Sequence, residues 1–273
     1  MVKKMLDDKV AVIGAGMMGS AIIKSLLKGG YKGQIFAVDV QLEKLLELEK
    51  LGVNTGADVL KAVKCADIVF IIVKPRDVKS VLCEIRDAVR GKLVVSVAAT
   101  VPLEYLCRHV PDAKVVRIMP NLGAMVQAAY TAYCCDGNVT LEEKQKIQAL
   151  LSMMGTYDEV DEKYMDALTA VSGSGPGYMS IIIEALTYAG LKVGLPRDVA
   201  LKSAAQTVLG TAKLVLDLNE EPARIRDMTT TPGGTTIEAI YQVEQSQIRP
   251  ALIRAIEEAT KKSGQIREKL DLT

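Results

Sequence analysis

One stretch near the start of the chain constrains the fold more than any other. The β-branched run Val10–Ile13 leads into Gly14, Gly16 and Gly19, an apolar-periodic segment follows, and a second apolar run ends on Asp39. In this spacing the first glycine permits a tight turn, the second lets the backbone approach a pyrophosphate, and the third lets a helix pack closely on a sheet. An acidic residue at the end of the second run is placed to accept a hydrogen bond from a ribose hydroxyl. The stretch therefore predicts a dinucleotide-binding βαβ unit.

Strand-like and helix-like patterns alternate through the first 160 residues. Continuous apolar runs, which are typical of parallel strands covered on both faces, lie at 35–38, 67–73, 93–98 and 115–119. An amphipathic helix is predicted over 41–51, a weakly alternating edge strand over 128–135, and a last strand over 156–160. The alternation indicates an α/β fold, a Rossmann domain with a doubly wound, mostly parallel sheet over residues 1–160.

After residue 160 the strand signal ends and helical patterns separated by Gly/Pro breaks follow. Helices are expected over 162–171, after Pro176, and over 248–270. The helix after Pro176 is apolar almost all round, which is typical of a helix in a core or in a subunit interface. We therefore predict a C-terminal all-helical domain over residues 161–273 that forms a homodimer with its copy in another subunit.

Composition excludes several classes of function. The chain has 34 basic and 33 acidic residues, so no general field attracts nucleic acid or an anionic membrane. No apolar run reaches the about 20 residues of a membrane span. The five cysteines form an odd set without metal-ligand spacing, which favours a reduced, cytoplasmic protein.

The predicted carboxyl ends of the strands carry small or backbone-presenting groups. They include Val73 to Pro75, Ala98, Ala99 and Asn121. No histidine, cysteine or acidic pair stands there, and the sole histidine, His109, lies in a polar segment where it has a surface or capping role. Such a site is expected to hold a cofactor that brings its own chemistry.

A second informative stretch is RDMTTTPGGTTIEAI at 226–240. Its glycines free the backbone to direct several N–H groups to one place, its threonines can donate and accept, and a helix N-terminus adds positive character. These features predict a nest for a small carboxylate. The alternative is a capped helix after a glycine-rich turn, and spacing alone leaves both open.

Six segments together resemble pyrroline-5-carboxylate reductase. The two most specific are VSGSGPGYMSIIIEAL at 171–186 and DMTTTPGGTTIEAI at 227–240, and four more, VIGAGMMGSAI, VKP, SVAA and RIMPN, are similar to that family's cofactor segments. The resemblance covers essentially the whole chain in the right order. It implies reduction of 1-pyrroline-5-carboxylate to L-proline with NADH or NADPH, the last step of proline synthesis, by a dimer or larger ring whose substrate site is assembled between subunits.

The resemblance also implies roles for individual residues. Thr236 would bind the ring nitrogen and act as the catalytic residue. Substrate binding would fall to Asp227, Thr231, Gly234 and Thr235. The implied cofactor-binding residues are Gly14, Ala15, Gly16, Met17, Met18, Gly19, Asp39, Val73, Lys74, Pro75, Ala98, Ala99 and Asn121. No metal is implied.

Some positions depart from the family pattern. Asp39 stands where members that use NADPH typically carry serine or another neutral residue, and a carboxylate there should repel a 2′-phosphate and favour NADH. Val59 replaces the usual asparagine, and Asn219 stands where an acid is expected. These departures concern cofactor choice and catalytic efficiency.

Alternative functions remain open at this point. One is the reduction of a related cyclic imine, and another is a β-hydroxyacid dehydrogenase on the same two-domain plan. The latter normally needs a lysine on its inter-domain helix, where this chain has Gly-Pro-Gly-Tyr at 175–178. The third is a catalytically weak nucleotide-binding paralogue that serves as a regulatory or scaffold protein.

Overall fold

The computed structural model describes residues 7–270 and contains one sheet in this part of the chain. Its strands are β1 Val10–Ile13, β2 Ile35–Val38, β3 Asn54–Gly56, β4 Ile68–Ile71, β5 Leu93–Ser96, β6 Lys114–Met119, β7 Ala129–Cys135 and β8 Gly155–Glu159. The order across the sheet is β3-β2-β1-β4-β5-β6-β7-β8. Every neighbouring pair is parallel except β6 and β7. The predicted doubly wound, mostly parallel α/β sheet is confirmed.

Helices cover both faces of the sheet, and the sequence explains why. Residues of β1, β4 and β5 alternate between two buried apolar clusters, one on each face, so these strands are apolar without interruption. β7 lies inside the sheet with β8 beyond it, so the prediction that 128–135 is an edge strand was wrong. β7 is mostly buried, whereas every residue of the edge strand β8 is at least partly exposed.

The helices of the first part of the chain follow these strands. They are α1 Met17–Lys28, α2 Leu46–Glu49, α3 Val59–Cys65, α4 Pro75–Ile85, α5 Leu103–His109, α6 Leu141–Ser152 and α7 Met165–Leu168. Local chemistry sets several of their starts. The Asp58 side chain accepts from Lys61 N at α3, Pro75 opens α4, and Thr140 with Glu143 forms a capping box at α6.

Two predicted helices are divided into shorter pieces. The segment predicted as a helix over 41–51 is a 3₁₀ turn, Leu42–Leu45, followed by α2. The one predicted over 162–171 is a 3₁₀ turn, α7, and a π-helical segment, Thr169–Gly173. A periodic apolar pattern indicates one buried face, but it does not distinguish α-, 3₁₀- and π-helical segments, because their periods are similar.

The remaining helices form the C-terminal part. They are α8 Gly175–Lys192, α9 Arg197–Leu218, α10 Pro222–Met228, α11 Thr235–Gln245 and α12 Ile248–Lys269. The predicted last helix agrees with α12 to within one residue. Among the residues described, no strand follows β8, as expected for the all-helical part of the fold.

The described residues form two compact units. One extends to Ser174 and also includes the chain from Glu258, and the other is Gly175–Glu257. This division differs from the predicted domain boundary at 160. The predicted boundary marks where strand patterns end, whereas the compact units are defined by tertiary contacts, which the 161–174 segment makes with the sheet.

No helix in residues 7–270 is sufficiently long and apolar to cross a membrane.

Candidate functional site

The glycine turn between β1 and α1 has the geometry that a dinucleotide requires. Gly14 has a φ of +100°, and a Cβ there would lie 2.3 Å from the carbonyl oxygen of Ile72. A Cβ on Gly19 would lie 2.0 Å from the carbonyl oxygen of Gly14, so only glycine lets α1 approach the turn this closely. At Gly16, by contrast, a Cβ would meet nothing within 4 Å, which leaves open space beside the backbone.

The start of α1 can bind an anion. Gly16 is its N-cap and provides no side chain to accept from the first N–H groups, and Met17 and Met18 follow in the first turn. Unpaired N–H groups at a helix N-terminus favour a phosphate. The residues present therefore fit the pyrophosphate of NAD or NADP.

Asp39 is held by the backbone on two sides. Its Oδ2 accepts from Ala15 N at 2.9 Å and its Oδ1 accepts from Gln41 N at 2.9 Å. Lys44 Nζ lies 3.7 Å from Oδ1, and the Asp39 side chain is only 8% exposed. Asp39 therefore fixes the glycine turn in addition to its predicted position near a ribose, and the N–H of Ala15 is already occupied.

A cavity of about 380 Å³ lies between the end of β2 and helix α4. It is lined by Gly14, Asp39 and Val73 of the predicted site, and by three polar residues that sequence reasoning missed, Asp77, Ser80 and Glu84. Positions 77, 80 and 84 share one face of a helix, and that spacing after the Val-Lys-Pro segment could have identified them. The lining contains three carboxylates and no lysine or arginine.

The other predicted cofactor residues lie at the ends of neighbouring strands, as expected. Lys74 is the N-cap of α4 and Pro75 its first residue, directly beyond β4. Ala98 is buried beyond β5 and donates from its N–H to Ser96 Oγ at 3.3 Å, and Ala99 follows it half-buried. Ligands of doubly wound sheets bind at this edge, near the β1–β4 switch point.

Asn121 follows β6 and is fixed at both ends of its amide. Its Oδ1 accepts from Gly123 N at 2.9 Å, and its Nδ2 donates to Ser172 Oγ at 3.0 Å. Ser172 belongs to the π-helical segment Thr169–Gly173. This contact joins the RIMPN and SGSGPGY segments, and the sequence alone did not indicate it.

The threonine-rich turn lies in the second compact unit. Gly234 is the N-cap of α11, and Thr235 and Thr236 are its first two residues. A Cβ on Gly234 would lie 2.4 Å from Thr231 Oγ1, so glycine is required beside that hydroxyl. Within residues 7–270 the hydroxyls of Thr231, Thr235 and Thr236 make no hydrogen bond and are available to a ligand.

Asp227, a predicted substrate residue, is paired with the residue before it in the chain. Its carboxylate lies 3.3 Å from an Nη of Arg226, on the exposed end of α10. The threonine turn presents hydroxyls and the backbone N–H groups at the start of α11, which suits an anionic ligand.

Three of the five cysteines are poor nucleophiles. Burial raises the pKa of Cys134 to about 12 and that of Cys107 and Cys135 to about 11, so these three remain thiols at neutral pH. In the part of the chain that the structure describes, no group of three or more His, Cys, Asp or Glu residues could hold a metal ion.

The glycine turn, the α1 N-terminus and the sheet topology define a Rossmann-type, dinucleotide-binding protein. Two family models match the chain. The one described as pyrroline-5-carboxylate reductase dimerisation matches residues 162–266, and the one described as NADP oxidoreductase coenzyme F420-dependent matches residues 9–100.

Full-length relatives specify the family. The chain is 38% identical to a pyrroline-5-carboxylate reductase of Methanosarcina acetivorans over 97% of this chain and 100% of that protein. It is 36% identical to that of Escherichia coli K12 over 96% of this chain and 99% of that protein. The chain belongs to the pyrroline-5-carboxylate reductase family.

Solved structures agree. A pyrroline-5-carboxylate reductase from Coxiella burnetii superposes with a TM-score of 0.87 at 31% identity, covering 94% of this chain and 98% of that one. A pyrroline carboxylate reductase from Plasmodium falciparum with NADP bound gives a TM-score of 0.85 at 28% identity, covering 94% and 97%.

Proposed function

We propose that this protein reduces 1-pyrroline-5-carboxylate to L-proline, the last step of proline synthesis, and that it prefers NADH to NADPH. Membership of the family supports the reaction. The cofactor supplies the hydride. No strong general acid is needed at the imine, because a cyclic imine protonates more readily than a carbonyl.

The chain's own part in the reaction is binding and orientation. We propose that the N–H groups at the start of α11, with Thr231, Gly234 and Thr235, bind the substrate carboxylate. The half-buried Thr236 hydroxyl then holds the ring nitrogen. Fixing the substrate at two points lowers the entropy cost of reaching the reactive geometry.

The acidic cavity beside β2 is the observation that carries the NADH preference. Asp39, Asp77 and Glu84 all line it. Lys44 and Arg76 lie 3.7 Å from Asp39 and Asp77 but are not part of the lining, which leaves the three carboxylates facing the cavity. A 2′-phosphate adds about two negative charges, which these carboxylates repel, whereas a ribose diol can donate to them.

The exposed apolar surface of the second unit supports a homodimer. Side chains of its helices that are large, apolar and at least 45% exposed include Ile181, Leu186, Leu209, Leu216, Tyr241 and Ile253. Surface of this kind usually marks an interface between subunits. We propose that the C-terminal helices pair with those of a second copy, and that larger rings form from such dimers. The expected cytoplasmic location stays a prediction.

A paired assay tests the proposal. With 1-pyrroline-5-carboxylate as substrate, the wild-type protein should have a higher kcat/KM for NADH than for NADPH. With NADH as coenzyme, it should reduce the six-membered piperideine carboxylate more slowly than 1-pyrroline-5-carboxylate. Asp39→Ser should raise the ratio of kcat/KM for NADPH to kcat/KM for NADH. Glu84→Gln should raise it too, and it leaves the Asp39 hydrogen bonds intact.

The outcomes distinguish three candidate functions: the proposed reductase, a reductase of a related cyclic imine, and a scaffold paralogue. NADH binding without turnover would favour the scaffold paralogue, and faster reduction of the six-membered imine would favour the related reductase. An unchanged coenzyme ratio in both variants would remove the role of the acidic cavity. Thr236→Ala should lower kcat/KM about fivefold, the value of one hydrogen bond, with the NADH affinity unchanged.

A further inference from the structure

A short chain of hydrogen bonds ends at Ser172. Gly123 N donates to Asn121 Oδ1 at 2.9 Å, which fixes the orientation of the amide because an N–H must meet its oxygen. The amide nitrogen of Asn121 then donates to Ser172 Oγ at 3.0 Å. The Ser172 oxygen is therefore an acceptor in this contact, and its own proton points elsewhere.

Several hydroxyls of the neighbouring helices are bonded to their own helix, whereas in the described chain that of Ser172 is not. The hydroxyls of Thr169, Ser180, Thr187 and Ser203 each donate to a backbone carbonyl in the preceding turn. Ser172 lies in a π-helical segment and has no such bond, and within the described residues its O–H meets no acceptor. The side chain is half-buried, so the open donor stands in a restricted space.

The topology places this donor in one half of the coenzyme site. The acidic cavity lies beside β2, on the half of the sheet that binds the adenosine part in doubly wound folds. β6, whose end carries Asn121, lies on the other side of the β1–β4 switch point. That half binds the nicotinamide nucleotide, whose carboxamide presents one carbonyl acceptor and one amino donor.

We propose that Ser172 is a coenzyme-binding residue whose O–H donates to the carboxamide oxygen of the nicotinamide. The inference rests on the proposed function, since it requires a nicotinamide coenzyme. Asn121 polarises the Ser172 hydroxyl by donating to it, which strengthens the bond that the hydroxyl makes in turn. Ser172 lies near the end of the π-helical segment, where Asn121 meets its hydroxyl.

Calorimetric titration of the full-length protein with three probes tests this. NADH carries the carboxamide oxygen, thio-NADH replaces it with sulfur, a weak acceptor, and ADP-ribose lacks the nicotinamide. Ser172→Ala should raise the Kd for NADH about three- to tenfold, the loss of one hydrogen bond, and leave the Kd values for thio-NADH and ADP-ribose unchanged.

Two further variants serve as controls. Ser172→Thr keeps the hydroxyl and should restore NADH binding. Ser152→Ala removes an exposed hydroxyl from α6 that donates to Ala149 O, and should change none of the three affinities.

The results also separate this inference from the proposed function. If Ser172→Ala raises the Kd of all three probes equally, or of none of them, the inference is overturned and the reductase function still stands. Failure of the wild-type protein to bind NADH at all would overturn both.

Discussion

Thr100 is a strained residue whose replacement should stabilise the protein. Its φ is +69°, a left-handed conformation that is costly for a β-branched side chain. The two other non-glycine residues with positive φ in the described chain, Gln127 and Asn219, each end a helix, whereas Thr100 caps none. Thr100 is 3% exposed, and its hydroxyl has no hydrogen-bond partner within residues 7–270.

The size of the effect follows from these features. The left-handed backbone costs an L-residue about 1–2 kcal/mol, and a buried hydroxyl without a partner costs about 1–3 kcal/mol. Thr100→Gly removes both. It loses about 0.8 kcal/mol for the buried methyl group and about 0.5–1 kcal/mol for the greater freedom of glycine in the unfolded chain. After a further allowance for the void left behind, the expected gain is about 1 kcal/mol, or a rise in Tm of about 3 °C.

Thermal and denaturant unfolding of a short series of variants measures this. Thr100→Ala removes the hydroxyl but keeps the Cβ and its strain, so it should gain less than Thr100→Gly. Asn219→Gly, at an exposed helix end where asparagine already tolerates positive φ, should change the free energy of unfolding by only a few tenths of a kcal/mol. A Thr100→Gly variant less stable than the wild type, or no better than Thr100→Ala, would refute the reasoning.

Two further predictions concern groups around the site. Asp39→Asn replaces one accepting oxygen with an NH₂ group, so a backbone N–H such as that of Ala15 loses its partner. The denaturant midpoint should therefore fall by the equivalent of about 2 kcal/mol. An unchanged midpoint would contradict a structural role for the carboxylate. For the cysteines, a thiol reagent at pH 8 should label the exposed Cys65 and Cys83 in the native protein and leave Cys134 unlabelled. The reason is that burial raises the pKa of Cys134 to about 12, so its thiolate is scarce at pH 8. Rapid labelling of Cys134, detected by mass spectrometry, would contradict its burial.

Much of the fold was predictable because its signals are local. The turn after β1, the helix that follows it and the acidic residue at the end of β2 are encoded within 30 residues. The threonine turn and the start of α11 are equally local, since glycine and hydroxyl residues act within one turn of their own position.

The sequence by itself thus determined the α/β class, the kind of coenzyme and the family. The tertiary structure decided what depends on partners far apart in the chain. The bond from Asn121 to Ser172 spans 51 residues. Strand order placed Glu84 in the cavity beside Asp39 and put β7 inside the sheet. The reason is physical: periodicity depends on neighbours within one or two turns, whereas these contacts depend on which strands pair and which helix faces they bring together.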